Sequence, residues 1–227
     1  MDRELKIKKL FSLHNLWLVC AVNHNSPWPR DNHFVTYSGM DFVLLGLYRN
    51  SLRKSGASII MPLANKEETD KKLKILNDFC AELSWLEQGY VKIVRCIVTT
   101  SLGCGCEGDT NISASFVGTS NYSLLHGNLE KNKSLALALW NDALALESDY
   151  IFCSFLQFYK IIESQFEEKQ QKCRINWINL GLKEIELESS TISITQDSRI
   201  NMAMEYLIKE TNDIGDYLYR NGRCSIA

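Results

Sequence analysis

Leu135-Ala-Leu-Ala-Leu-Trp-Asn-Asp-Ala-Leu-Ala-Leu146 decides the fold class. Its strict Leu-Ala alternation imitates a strand, which has a period of two. Twelve residues exceed the usual strand, however, and alanine is the best helix former. The run therefore reads as a helix, apolar nearly all round and so expected to be buried. If it is helical, everything after it follows suit. Tyr150 to Phe166 carries Ile151, Phe155, Phe158 and Ile162 on one face, with Phe152, Tyr159 and Phe166 beside it. Asn176 to Ile185 fits a third helix. Glu188 to Thr195 is turn-like, and Arg199 to Leu218 repeats Ile200, Met204, Leu207, Ile214 and Leu218 at helical spacing.

Upstream the periodicity is different. Leu16-Trp-Leu-Val-Cys-Ala-Val22 is a short apolar run that fits a buried strand. Phe34 to Tyr37 and Asp41 to Leu45, joined by Ser38-Gly39, spell a hairpin. Ala57 to Met61 and Val91 to Val98 are further strands. Between them Leu73, Leu76, Phe79, Leu83 and Leu86 mark a helix over Lys66 to Gln88, with Gly89 as its stop. Residues 101–111 form a glycine-rich loop, and Ile112 to Phe116 reads as one more strand. The expected architecture is α+β: an α/β domain with a small mixed sheet over residues 1–128, then an all-helical bundle over 129–227.

Composition narrows the functional classes. The 227 residues carry a net charge of −2 and are 45% hydrophobic. Residues 1–128 hold 14 Lys and Arg against 12 Asp and Glu, and 129–227 hold 11 against 15. A field covering the whole molecule that would gather nucleic acid is excluded; a local basic cleft is not. Eight cysteines are too few for a disulfide scaffold. Cys20, Cys80, Cys96 and Cys153 sit among apolar residues and read as buried thiols in a reducing cytoplasm. Arg3, Lys6, Lys8 and Lys9 before an apolar run faintly imitate a signal peptide, but Asp2, Glu4 and the His14-Asn15 break argue against one. No apolar run approaches the roughly 18–20 residues of a membrane span, so no membrane partner is expected.

Other constellations are weak. His14, His24, His33 and His126 lack the spacing of a metal site. Cys104-Gly-Cys106 has no second cysteine pair near it, so neither a metal nor another cofactor is expected. Gly103-x-Gly105-x-x-Gly108 imitates a dinucleotide-binding loop, yet a further strand follows where a helix must open.

The chain ends on Tyr217-Leu-Tyr-Arg-Asn-Gly-Arg-Cys-Ser-Ile-Ala227. On motif grounds alone, Arg220 and Arg223 are basic residues neutralising the negative end of a last helix. Together with Ala136 to Leu144 and Ser154-Phe-Leu-Gln-Phe-Tyr-Lys-Ile-Ile-Glu163, this ending resembles the methylamine utilization protein MauJ family. That family continues with His-Ala, which would make Arg223 the first member of an Arg-x4-His pair. Its C-terminal part is similar to the HEPN superfamily of small helical ribonucleases.

The resemblance implies a metal-independent endoribonuclease of toxin or antiphage effector type, working as a dimer built through its helical domain. In it the ribose 2′-OH attacks the adjacent phosphate and leaves a 2′,3′-cyclic phosphate. A histidine handles the protons and Arg223 stabilises the charge on the phosphorane. On a straight helix residues i and i+5 lie about 140° apart, so the family builds one cleft from two symmetry-related motifs. Glu163 would orient Arg223, and Arg220 and Asn221 would contact RNA. The bland alternative for Glu163 is a surface pair with Lys160. Lacking a histidine after Ala227, the chain as it stands is expected to be inactive. The N-terminal domain would sense, recruit or regulate, with a protein partner as one means. The competing reading is a non-catalytic interaction protein whose helical domain dimerises.

Overall fold

A computed structural model describes residues 3–50, 53–54, 56–101, 118, 120–166, 170–189, 211 and 213–223. The chain is α+β and forms two compact units, Met1–Ser154 and Phe155–Ala227. The loop and strand expected over 101–116 fall outside the described residues, apart from Ser101. So does most of the helix expected over Arg199 to Leu218.

The first unit is built on a five-stranded sheet in the order β2-β3-β6-β1-β7. Its strands are β1 (Trp17–His24), β2 (His33–Tyr37), β3 (Met40–Leu45), β6 (Ser58–Pro62) and β7 (Val91–Thr99). A separate ribbon pairs β4 (Tyr48–Asn50) with β5 (Arg53–Lys54). Every pairing in the five-stranded sheet is antiparallel, where the sequence suggested a mixed sheet. The reason is the position of β1. It lies between β6 and β7 and runs against both, so the crossover from β6 to β7 joins strands that never touch.

Tyr37 pairs with Met40 across a two-residue loop. Ser38 and Gly39 both adopt positive φ, 50° and 72°, the conformation that matches hairpin twist.

Helices cover both faces of the sheet, which is why β1 reads as one continuous apolar run. Its residues alternate. Leu18, Cys20 and Val22 enter a core with Leu76, Phe79 and Leu83 of α2 (Thr69–Glu87). Trp17, Val19 and Ala21 pack with Ile7 and Leu10 of α1 (Arg3–Leu13). The basic and apolar N-terminal residues are thus a core helix, which the sequence reading did not assign. Phe79 is wholly buried, worth about 2–3 kcal/mol for such a side chain. At the end of α2 it is Gln88 that turns left-handed, φ 52°. Gly89 serves a different need: a Cβ there would lie 2.7 Å from Asn25 Oδ1 and Ser26 Oγ.

The helix α3 (Lys131–Leu146) forms as expected but belongs to the first unit. The first compact unit runs to Ser154, and within it α3 packs on α2 and β7. Asn141 bonds both backbone groups of Val91, Ser134 Oγ donates to Asp78 at 2.6 Å, and Trp85 meets Trp140 edge to face. The burial expected all round α3 is not found. Only Asn141 and Ala143 are buried, and Leu135 is exposed, because one face alone meets the sheet layer. The turn leading into α3 is held by Glu82, whose carboxylate accepts the N–H groups of His126 and Gly127.

The described secondary-structure elements of the second unit are all helical. It contains α4 (Ile151–Glu163) from Phe155 onward, α5 (Gln171–Ser189) and a short α6 (Ile214–Tyr217). The last runs into a π-helical turn, Leu218–Arg223. Ile151 and Phe152 open α4 exposed, and Cys153 beside them is exposed rather than buried.

Candidate functional site

Glu163 lies on α4, and Arg220, Asn221 and the backbone of Arg223 lie in the last turn of the described chain. Its anchoring begins on α5, where Ile175 and Ile178 define the buried face. One turn past Ile175, Asn179 Oδ1 accepts the Gly215 N–H at 2.7 Å and Asn179 Nδ2 donates to Asp213 Oδ1 at 2.8 Å. Asp213 in turn caps α6 by accepting the Asp216 N–H at 2.9 Å. Asn179 first, and then the Asp216 N–H, hold the Asp213 carboxyl below its ordinary pKa. Glycine is required at 215, since a Cβ would lie 2.6 Å from the Ile175 carbonyl oxygen. The absence of a side chain is what lets α6 lie directly on α5.

From this anchor the chain enters the π-helical turn. Tyr219 packs on Tyr159 of α4, ring centroids 6.5 Å apart. Glu163 lies four residues after Tyr159 and therefore on the same helix face. Its Oε1 accepts a hydrogen bond from Arg174 Nη1 at 3.1 Å. Arg174 is 7% exposed, so this is a charge-assisted bond in a largely dry setting.

The structure thus brings α4, α5 and the terminal turn into one cluster. Some of the contacts made here are ones the sequence reading did not name. Glu163 is engaged by Arg174, a residue that reading did not single out, and not by Lys160, which is exposed. Arg220 is exposed and contacts both oxygens of Asp216, at 3.0 and 2.8 Å. Asn221 is exposed beside it. The backbone of Arg223 closes the π-helical turn, while its side chain and residues 224–227 lie outside the described residues.

Two of the missed residues left a trace in the sequence. Asp213-x-x-Asp216 has the spacing of a helix cap followed by an acidic third position. Arg174 stands immediately before Ile175 and four residues before Ile178, on an otherwise apolar stripe. Asn179 and Gly215 left none, because their partners are distant in sequence.

The first unit carries a different kind of feature. A groove of about 520 Å³ is lined by Lys6, His33, Phe34, Ser120, Asn121 and Tyr122, among others. Lys6 Nζ lies 5.2 Å over the Phe34 ring, and His33 meets Tyr122 at a steep tilt, ring centroids 4.8 Å apart. The other histidines are held apart: His14 packs on Trp17, and His24 on Trp28. Among the described residues no group of three or more His, Cys, Asp or Glu is gathered as a metal site requires. No helix among them is long and apolar enough to cross a membrane. No protein-family model matches the chain, and no curated protein or solved structure matches it either.

Proposed function

We propose that the second unit is a metal-independent ribonuclease module of the HEPN type, in a cytoplasmic protein whose first unit regulates it. The observation that carries this reading is the π-helical turn Leu218–Arg223, pinned by Asn179 and Asp213 and seated through Tyr219 on the helix that bears Glu163. π-Turns recur at functional sites, and their hydrogen bonds join residues five apart. The resemblance of 217–227 and 154–163 to the MauJ family supports the same reading.

In this mechanism the histidine takes the proton from the ribose 2′-OH. The 2′ oxygen attacks phosphorus and the 5′ oxygen leaves, collecting a proton. Arg223 bears the charge that builds on the phosphorane. Arg174 holds Glu163 in one orientation. The groove beside Lys6 offers the first unit a place for a regulatory ligand.

The test compares the chain as given with a chain extended by His-Ala, on tRNA and mRNA with EDTA present. The extended chain cleaves and leaves 2′,3′-cyclic phosphate ends; its Arg223→Ala variant and the unextended chain do not. Intact RNA with the extended chain, or cleavage abolished by EDTA, overturns the proposal.

One observation favours the second reading, a dimerising interaction module. Trp177 and Leu180 on α5 are 54% and 61% exposed and three residues apart, so they share a face. Sedimentation of the wild type against Trp177→Glu separates the two: a dimer lost with that change and no RNA cleavage by the extended chain support the module.

A further inference from the structure

Outside the helical site, the first unit holds a pair of thiols in an unusual relation. Cys20 and Cys96 face each other directly in the register of β1 and β7. Their sulfurs are 2.8 Å apart, hydrogen-bonded and unbridged. Cys20 is wholly buried in β1, an interior strand of the sheet. Cys96 is half-buried on β7, whose one partner among the described strands is β1. A third thiol, Cys80, faces the same core from α2.

We propose that Cys20 and Cys96 form a redox-modification site, a cross-strand thiol pair that hydroperoxides convert to a disulfide stapling β7 to β1.

The chemistry follows from the asymmetry of the pair. The thiolate is the attacking species. Cys96 is the accessible member, and the hydrogen bond from the Cys20 thiol lowers its pKa. Its sulfur attacks the hydroperoxide, breaks the O–O bond, and becomes a sulfenic acid while an alcohol leaves. The Cys20 sulfur then displaces water from Cys96. Two thiols give up two protons and two electrons, and the hydroperoxide is reduced to alcohol and water. Cys80 does not compete, because burial first and the Cys96 sulfur second push its pKa up and keep it protonated. Directly opposed strand residues also meet the Cα separation that a disulfide needs.

The experiment treats the purified full chain with hydrogen peroxide, blocks remaining thiols, and maps its peptides by mass spectrometry without reduction. The expected product is a Cys20–Cys96 linked peptide pair, lighter by two hydrogen atoms and reversed by dithiothreitol. Amide exchange in β7 slows in the oxidised form. In Cys96→Ser, Cys20 remains reduced. Oxidation of Cys96 to sulfinic acid, a bridge from Cys96 to Cys80, or loss of the exposed Cys153 and Cys173 thiols while the pair stays reduced overturns the proposal. None of these outcomes depends on ribonuclease activity.

Discussion

Asn141 grips Val91 by both of its backbone groups: Nδ2 donates to the carbonyl at 2.7 Å, and Oδ1 accepts the N–H at 2.9 Å. The amide does for the start of β7 what a neighbouring strand would do, and it comes from a helix. The contact is buried and ties α3 to the sheet. Asn141→Ala strips partners from a buried donor and a buried acceptor together, each costing about 1–3 kcal/mol. Urea unfolding of the variant is expected to show a loss of at least about 2 kcal/mol. A loss below about 0.5 kcal/mol would mean that water replaces the amide, and that α3 is not fastened here.

The Glu163–Arg174 pair gives a second prediction. Arg174 is buried and Glu163 partly so, with side chains 9% and 21% exposed. Removing one partner of a hydrogen-bonded charge in such a place costs about 1.5–3 kcal/mol. Glu163→Ala should therefore destabilise the second unit by about 2 kcal/mol. Glu163→Gln, which keeps an acceptor for Arg174, should cost less than half as much. If the two variants unfold alike, the bond does not hold α4 to α5.

Arg220 should behave in the opposite way. Its ion pair with Asp216 is exposed, with 70% of the arginine side chain accessible, and such pairs contribute about 0–1 kcal/mol. Arg220→Ala is expected to leave stability nearly unchanged in a thermal melt. If this surface contacts RNA, the same variant in the extended chain weakens RNA binding and flattens its salt dependence. Unchanged binding removes Arg220 from the substrate surface.

Alkaline pH should loosen the first unit. Burial first, and then the Glu82 carboxylate, push the Tyr37 phenol above its ordinary value of 10.0. A group whose folded pKa is raised contributes stability that is whole below its unfolded pKa and disappears as pH rises through the folded one. Stability should therefore fall from about pH 10 upward. Tyr37→Phe should resist that fall while changing stability at pH 7 by no more than about 1 kcal/mol. Parallel pH profiles for the two proteins would assign the alkaline loss to other groups.

Local patterns carried much of the architecture. The hairpin at Ser38-Gly39, the strands at 17–24, 58–62 and 91–99, and the helices at 69–87, 131–146 and 151–163 all follow from periodicity and turn chemistry. Each is a property of residues within a few positions of one another. Burial was legible only where an element is covered on both sides, as β1 is. Leu135 shows the limit, since an apolar residue records no information about which face its helix will turn to a neighbour. The α1 helix was missed for a related reason: its lysines and short apolar stripe acquire meaning only once a sheet lies beneath Ile7 and Leu10.

The sequence by itself determined the kind of element at most described positions and the helical character of the described elements from Lys131 onward. Tertiary structure alone decided that α3 belongs with the sheet, that Arg174 engages Glu163, that Asn179 anchors the terminal turn and that Cys96 lies on Cys20. Secondary structure is encoded in spacings of two to five residues, which can be read along a line. These pairings close gaps of 50 residues for Asn141 and Val91 and 76 for the two cysteines. At such distances the partner is chosen by strand order and helix placement, which no local pattern contains.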